Sequence, residues 1–328
     1  MQSKAFGNTS LNVTPLGLGL AALGRPGYIN LGHADDMAEG RSVEDMEHRA
    51  HGVLDAAWAR GLRYFDAARS YGLSERFLSS WINSRGIRPS IGSKWGYTYT
   101  ADWRVDAEVH EVKEHSLPVL ERQWGESHEW FGGRVDLYQI HSATLESGVL
   151  DNSEVLEELA RLKADGLYIG FTTSGANQAA IIDKALATEL DGVRLFDAVQ
   201  STWNLLEPSA GPALAAAHGE GLGVIIKESL ANGRLTARNT ELEFESRRAL
   251  LAGMADELDC AIDALALAGA LAQPWADVVL LGAASIDQLD SNLGALDVSL
   301  AGREAELADA LAEDPTIYWQ KRSALAWN

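Results

Sequence analysis

The chain is 328 residues long, 46% apolar and 23% charged, with a formal net charge of −20 and an isoelectric point near 4.7. That acidity argues against capture of nucleic acid or of an anionic membrane, because both need a basic face, and the single cysteine, Cys260, excludes an intramolecular disulfide and a cysteine-rich metal site. Residues 1–7 lack the apolar centre of a signal peptide and no run of 18 apolar residues occurs, so a soluble cytoplasmic protein is expected, with Cys260 as a buried, inert thiol.

In chain order, residues 4–14 alternate around Gly7-Asn8-Thr9 and predict a small hairpin. Residues 15–20 read as a short apolar strand whose Gly17 and Gly19 leave space for a ligand near the backbone. The segment 21–45 is rich in Gly, Asp and polar groups and has no period, which marks a long loop of the kind that walls a pocket. Strands and helices then alternate. Helix 46–60 precedes strand 63–66, and helix 75–84, which Ser74 can cap, precedes strand 91–94. A long amphipathic helix over 106–124 leads to strand 135–141, helix 153–164 to strand 168–172, and helix 177–188 to strand 196–200. Helix 208–218 is followed by strand 223–227, helices 243–258 and 260–272 by strand 278–281, and helix 286–296 by a tail with a helix near 302–312.

Eight strands, each followed by a helix or a helical pair, argue for parallel pairing and closure into an α/β, (β/α)8 TIM barrel, with the hairpin ahead of it and the tail near the pocket. An open doubly wound sheet is the alternative; it is weakened because no G-x-G-x-x-G opens a helix directly after a strand. No linker rich in Pro, Gly or Ser divides the chain, so residues 1–328 are read as one domain.

In such a barrel the site lies at the C-terminal ends of the strands. Asp66 ends the second strand, Lys94 the third and His141 the fourth, and Tyr71 follows Asp66 by five residues on the same face. A lone His at a strand end is ordinarily a hydrogen-bonded structural residue, whereas a lysine at a buried strand end demands a partner. Together the four suggest proton transfer to a carbonyl oxygen. A free phenol has a pKa of about 10; the Lys94 ammonium would lower it, Asp66 would hold Lys94 charged, and His141 would orient the oxygen. No metal is required, and the sequence has no H-E-x-x-H.

The residues Phe65-Asp66-Ala67-Ala68-Arg69-Ser70-Tyr71-Gly72-Leu73-Ser74-Glu75, Ser93-Lys94 and Asp136-Leu137-Tyr138-Gln139-Ile140-His141 resemble those of the aldo-keto reductase family. The likeness extends to Phe6-Gly7-Asn8-Thr9-Ser10-Leu11, Ile169-Gly170-Phe171-Thr172-Thr173 and Gly282-Ala283-Ala284-Ser285. It implies a TIM barrel that binds NADP(H) or NAD(H) and uses a tetrad matching Asp66, Tyr71, Lys94 and His141. By the same resemblance Thr172, Thr173 and Gln200 would hold the nicotinamide carboxamide. The loop 230–235, with Leu230 and Asn232, would cover the pyrophosphate; Gly19 would border the cofactor, and Ser285, Gln288 and Asn292 would meet its adenosine end.

Two positions depart from the pattern. Where many relatives carry an aromatic residue that stacks on the nicotinamide, this chain reads Lys227-Glu228-Ser229-Leu230, so Lys227 either pairs with Glu228 or reaches cofactor or substrate. Ala284 stands where a cation often follows Gly-Ala, which weakens the case for a strict NADP(H) preference. Trp95, Tyr97 and Trp203 are candidate substrate contacts suited to sugars or flat ketones, with Tyr99 and Trp103 nearby. Trp319 and Trp327 either cover the pocket or dock the C-terminus. The expected activity is an NAD(P)-linked oxidoreductase acting on a small carbonyl or alcohol, an alcohol or aldose dehydrogenase or a carbonyl reductase. The alternative is a non-catalytic nucleotide-binding sensor or regulatory barrel.

Overall fold

The computed structural model describes residues 1–37 and 40–328, and in it eight parallel strands close into a barrel. These are β1 (Leu16–Gly19), β2 (Tyr64–Asp66), β3 (Ser90–Trp95), β4 (Leu137–Ala143), β5 (Tyr168–Thr173), β6 (Ala198–Thr202), β7 (Gly223–Lys227) and β8 (Val278–Leu281). β8 pairs with β1, Val279 opposite Leu16, so no edge remains and the open sheet is excluded. Helices cover the outside, which is why the strands are buried on both faces, with polar residues such as Gln139 and Gln200 enclosed among the apolar ones.

The expected hairpin is present, Lys4–Ala5 pairing with Asn12–Val13. It drives Phe6 and Val13 into the N-terminal mouth of the barrel, against Tyr64, Leu137, Ala198, Ile225 and Val278. Burial of one such side chain contributes roughly 1.5–3 kcal/mol. Gly223 is what makes room for the Phe6 ring, since a Cβ there would collide with it.

Local chemistry sets the helix ends. Val43–Ala59 starts three residues earlier than expected because the Ser42 hydroxyl accepts the Asp45 amide. The helix Ser74–Arg85 stops at Gly86, whose φ of 63° suits glycine. Ser74 does not cap it: Ser74 is already helical, and its hydroxyl donates to the Ala68 carbonyl at 3.2 Å.

The helix expected over 106–124 is a correction. Tyr97–Tyr99 and Glu111–Lys113 form an antiparallel pair instead, and the helix runs from Leu117 to Phe131. Pro118 lies in its first turn, where a missing N–H costs nothing, and the preceding Tyr, Thr and Val residues favour strand. The tail holds a second helix, Pro315–Ser323, beyond the expected one at Glu304–Leu311. The loop 21–45 includes a short helix, His33–Asp36, and its residues 38 and 39 lie outside the described residues. Cys260 is half-buried between two helices rather than fully enclosed; burial and the neighbouring Asp259 raise its pKa. Among the described residues, no helix is long and apolar enough to cross a membrane.

Candidate active site

Three strand ends and one loop converge at the C-terminal mouth. Asp66 is the last residue of β2, Lys94 the penultimate residue of β3, and His141 lies in β4. The loop after β2 is fixed against residues 20–25: the Leu73 amide donates to the Gly24 carbonyl at 2.7 Å, and Gly72 takes a φ of 58° in close contact with Gly24. That contact, which a side chain at Gly24 would block, sets the position of Tyr71.

Lys94 and Asp66 form an ion pair in which neither side chain is more than 2% exposed. The ammonium also donates to the Ala67 carbonyl at 3.0 Å, while the second Asp66 oxygen accepts from Gln200 at 3.0 Å and Gln139 at 3.3 Å. Lys94 Nζ lies 4.6 Å from the centre of the Tyr71 ring. The Tyr71 hydroxyl lies 3.5 Å from His141 Nε2, and His141 Nδ1 lies 3.4 Å from the Ser70 hydroxyl.

Burial governs the protonation of this group. It pushes the Tyr71 phenol well above its ordinary value, the Asp66 charge adds to the rise, and Arg25 opposes it. The sequence suggested the reverse, with Lys94 lowering the phenol; in the folded site burial and the Asp66 charge dominate instead. Burial likewise pulls Lys94 down, against the attraction of Asp66. His141 falls well below the usual imidazole range through burial and then the charges of Lys94, Lys227 and Arg25. A neutral phenol and a neutral imidazole therefore stand side by side, and both can hydrogen-bond one oxygen atom.

The mouth opens into a cleft of about 1120 Å³. Gly19, Gln200, Lys227, Leu230, Asn232, Gln288 and Asn292 line it, together with Asp66, Tyr71 and His141. Thr172, Thr173 and Ser285 do not line it. Thr172 Oγ1 accepts the Ser142 amide at 2.7 Å, the Thr173 hydroxyl is shared with Gln178 and Ser201, and Ser285 caps the helix Ile286–Leu293. Ser142 and Ser174 stand on the wall instead. Of the aromatic candidates, Tyr97 lines the cleft; Trp95 and Trp203 are buried behind it against His115 and Trp275.

Sequence reasoning missed Arg25, Tyr28 and His110. Arg25 is 3% exposed and lies 5.2 Å over the Tyr71 ring, 5.1 Å over Tyr28 and 4.6 Å over Trp327. Trp327 lines the cleft, stacked on His110 with ring centres 4.0 Å apart, whereas Trp319 does not reach the wall. The only signal for Arg25 was a cation within a Gly-rich, aperiodic loop.

The expected Lys227–Glu228 pair is loose, at 4.0 Å. Glu228 instead accepts from Arg322 at 2.6 Å and from Thr202 at 3.0 Å. Burial disfavours its charge, but Arg322 and Lys227 outweigh burial and hold its pKa at about 2. Lys227 donates to the Thr202 hydroxyl at 2.7 Å, and burial lowers its pKa to about 8. Further along the cleft, the Ser229 hydroxyl and the Asn232 side-chain oxygen are almost fully buried without a partner among the described residues. These orphaned polar atoms, beside the glycine at 233, fit a polar ligand group seated on that loop.

Comparison with known proteins matches residues 15–313 to the model of the aldo/keto reductase family, and the chain belongs to that family. It is therefore an oxidoreductase of a family that generally uses NAD(P)H on carbonyl substrates. It is 25% identical to a pyridoxal 4-dehydrogenase of Microbacterium luteolum, over 89% of this chain and 92% of the relative. It is also 25% identical to a D-threo-aldose 1-dehydrogenase of a Pseudomonas species, over 90% and 95%. Among solved structures, the holo form of an aldo-keto reductase from Bacillus halodurans superposes with a TM-score of 0.73 at 21% identity, covering 96% of this chain and 97% of that one.

Proposed function

We propose that this protein transfers hydride between a nicotinamide dinucleotide and a carbonyl or alcohol, with Tyr71 as the general acid for reduction and the base for oxidation. The observation that carries the reading is the 3.5 Å pairing of the Tyr71 hydroxyl with His141 Nε2 on the cleft wall, over the buried Lys94–Asp66 pair. A bound nicotinamide supplies or accepts the hydride. The substrate oxygen takes a hydrogen bond from Tyr71 and a second from His141 when Nε2 carries the imidazole proton. As charge develops on that oxygen, the phenol gives up its proton, and the Lys94 ammonium, 4.6 Å from the ring, steadies the phenolate left behind. Asp66 keeps Lys94 charged, and Gln139 and Gln200 keep Asp66 in place.

The cofactor reading is NAD(H) in preference to NADP(H). The end of the cleft formed by Gln288, Ser291 and Asn292 carries Asp263 and Asp287, and no Lys or Arg of that stretch lines it among the described residues. A phosphate monoester there would meet two carboxylates, while Arg238, which also lines the cleft, is already paired with Asp36 at 2.6 Å. Binding titrations with both cofactors test this, and a preference of a hundredfold or more for NADP(H) would overturn it. The activity is tested by a panel of aldehydes, ketones, aldoses and pyridoxal, with both cofactors and in both directions. Turnover of at least one substrate is expected; none, despite tight cofactor binding, would favour a sensor role.

A further inference from the structure

The catalytic end of the cleft can be charge-matched pair by pair. Lys94 is taken by Asp66, Arg25 by Glu111 at 2.9 Å, and Arg322 by Glu228 at 2.6 Å. Lys227 is left over. Its side chain is 15% exposed, and among the described residues its nearest carboxylate is Glu228 at 4.0 Å and its one hydrogen bond goes to the neutral Thr202 hydroxyl. An ammonium has three protons to donate, so two remain for whatever occupies the cleft.

The backbone holds it there. Lys227 ends β7 opposite Thr202 on β6, two rungs beyond Gln200, which itself donates to Asp66. Glu228 turns away in a left-handed conformation, φ 55°, tied by its carbonyl to Asn204 and by its carboxylate to Arg322 and Thr202. The residue that would most naturally neutralise Lys227 is thereby committed elsewhere. A partly desolvated ammonium whose carboxylate neighbour is 4.0 Å away and hydrogen-bonded to Arg322 gains from a ligand that completes it.

We propose that Lys227 forms a subsite for an anionic group of the substrate, a carboxylate carried on the same molecule as the carbonyl presented to Tyr71. The proposal rests on the oxidoreductase reading above. The chain's net charge of −20 gives no long-range attraction for such a molecule, so selection is by short-range contact. A compact ammonium does this well at close range while the surrounding field is of the opposite sign.

The test uses pairs that match in shape and differ in charge: benzoate with benzamide, and phenylacetate with phenylacetamide. None is reducible here, so each is titrated at equilibrium into the wild-type enzyme at saturating NADH, or NADPH where that binds tighter, with tryptophan fluorescence as readout. The wild type is expected to hold the carboxylate of at least one pair tenfold or more tighter than its amide. Lys227→Met should abolish that preference, Lys227→Arg should restore part of it, and Lys227→Gln repeats the test while keeping a polar group for Thr202. Absence of a preference in the wild type, or its survival in Lys227→Met and Lys227→Gln, would overturn the proposal. A tenfold loss of NADH affinity with the carboxylate preference intact would assign the ammonium to the phosphates of the cofactor, and would also overturn it. The oxidoreductase reading fails separately, when the wild type turns over nothing in the substrate panel.

Discussion

Replacing Asp66 by Asn removes the carboxylate that, among the described residues, forms the ion pair with Lys94, whose side chain is 0% exposed and cannot swing to water. The ammonium keeps the Ala67 carbonyl at 3.0 Å and gains only a neutral amide oxygen. Breaking a buried pair in this way costs about 3–5 kcal/mol. Lys94→Met should cost less, because the stranded carboxylate retains Gln200, Gln139 and Tyr64 as donors at 3.0, 3.3 and 3.4 Å. The double variant buries neither charge alone and should fall short of the summed losses by about 1–3 kcal/mol. The sign with pH also follows. Burial already depresses Lys94 against the pull of Asp66; without Asp66 it falls further, so the unfolded chain holds the extra proton and the Asp66→Asn deficit shrinks as pH rises toward 10. Urea unfolding with linear extrapolation measures all three variants. Additive losses, or an Asp66→Asn deficit under about 1 kcal/mol, would refute the reasoning.

Gly223→Ala should destabilise by about 1–3 kcal/mol through overpacking against Phe6, and Phe6→Leu in the same chain should recover part of that loss in thermal or urea unfolding. His33 and His115 are each pulled by burial to a pKa of about 4. Between pH 6.5 and 4 the unfolded chain therefore holds more protons, and stability falls as pH falls, by about 1.4 kcal/mol per pH unit for each histidine that titrates only in the unfolded state; a flat stability profile over that window would contradict the assignment. Asp287→Arg places a cation at the adenosine end of the cleft and should tighten NADPH relative to NADH by tenfold or more in fluorescence titration; an unchanged ratio would remove Asp287 from cofactor selection.

The barrel was legible because its strands are short apolar runs between clear stops: Gly223–Lys227 and Val278–Leu281 end where the sequence pattern ends. Asp66, Tyr71, Lys94 and His141 could be grouped because strand ends in a closed barrel share one mouth, so their order along the chain already implies proximity. What could not be read were interactions made across loops. Thr172 sits on the same rung as Gln200, and only the left-handed turn at Ser142, φ 55°, brings an amide to take its hydroxyl. Residues 106–124 have enough apolar spacing to read as one helix, but Glu111–Lys113 pair with Tyr97–Tyr99 and the helix begins only at Leu117, with Pro118 in its first turn. Arg25 and Arg322 come from an aperiodic loop and from a tail helix; their partners, Glu111 and Glu228, lie 86 and 94 positions away.

The most direct measurement of the central claim is Tyr71→Phe, assayed for turnover on the best substrate of the panel and for cofactor affinity by fluorescence titration. Cofactor affinity should stay within about twofold and turnover should drop by roughly 10²–10⁴-fold, the usual loss when a general acid is removed. Turnover equal to wild type would take Tyr71 out of the mechanism.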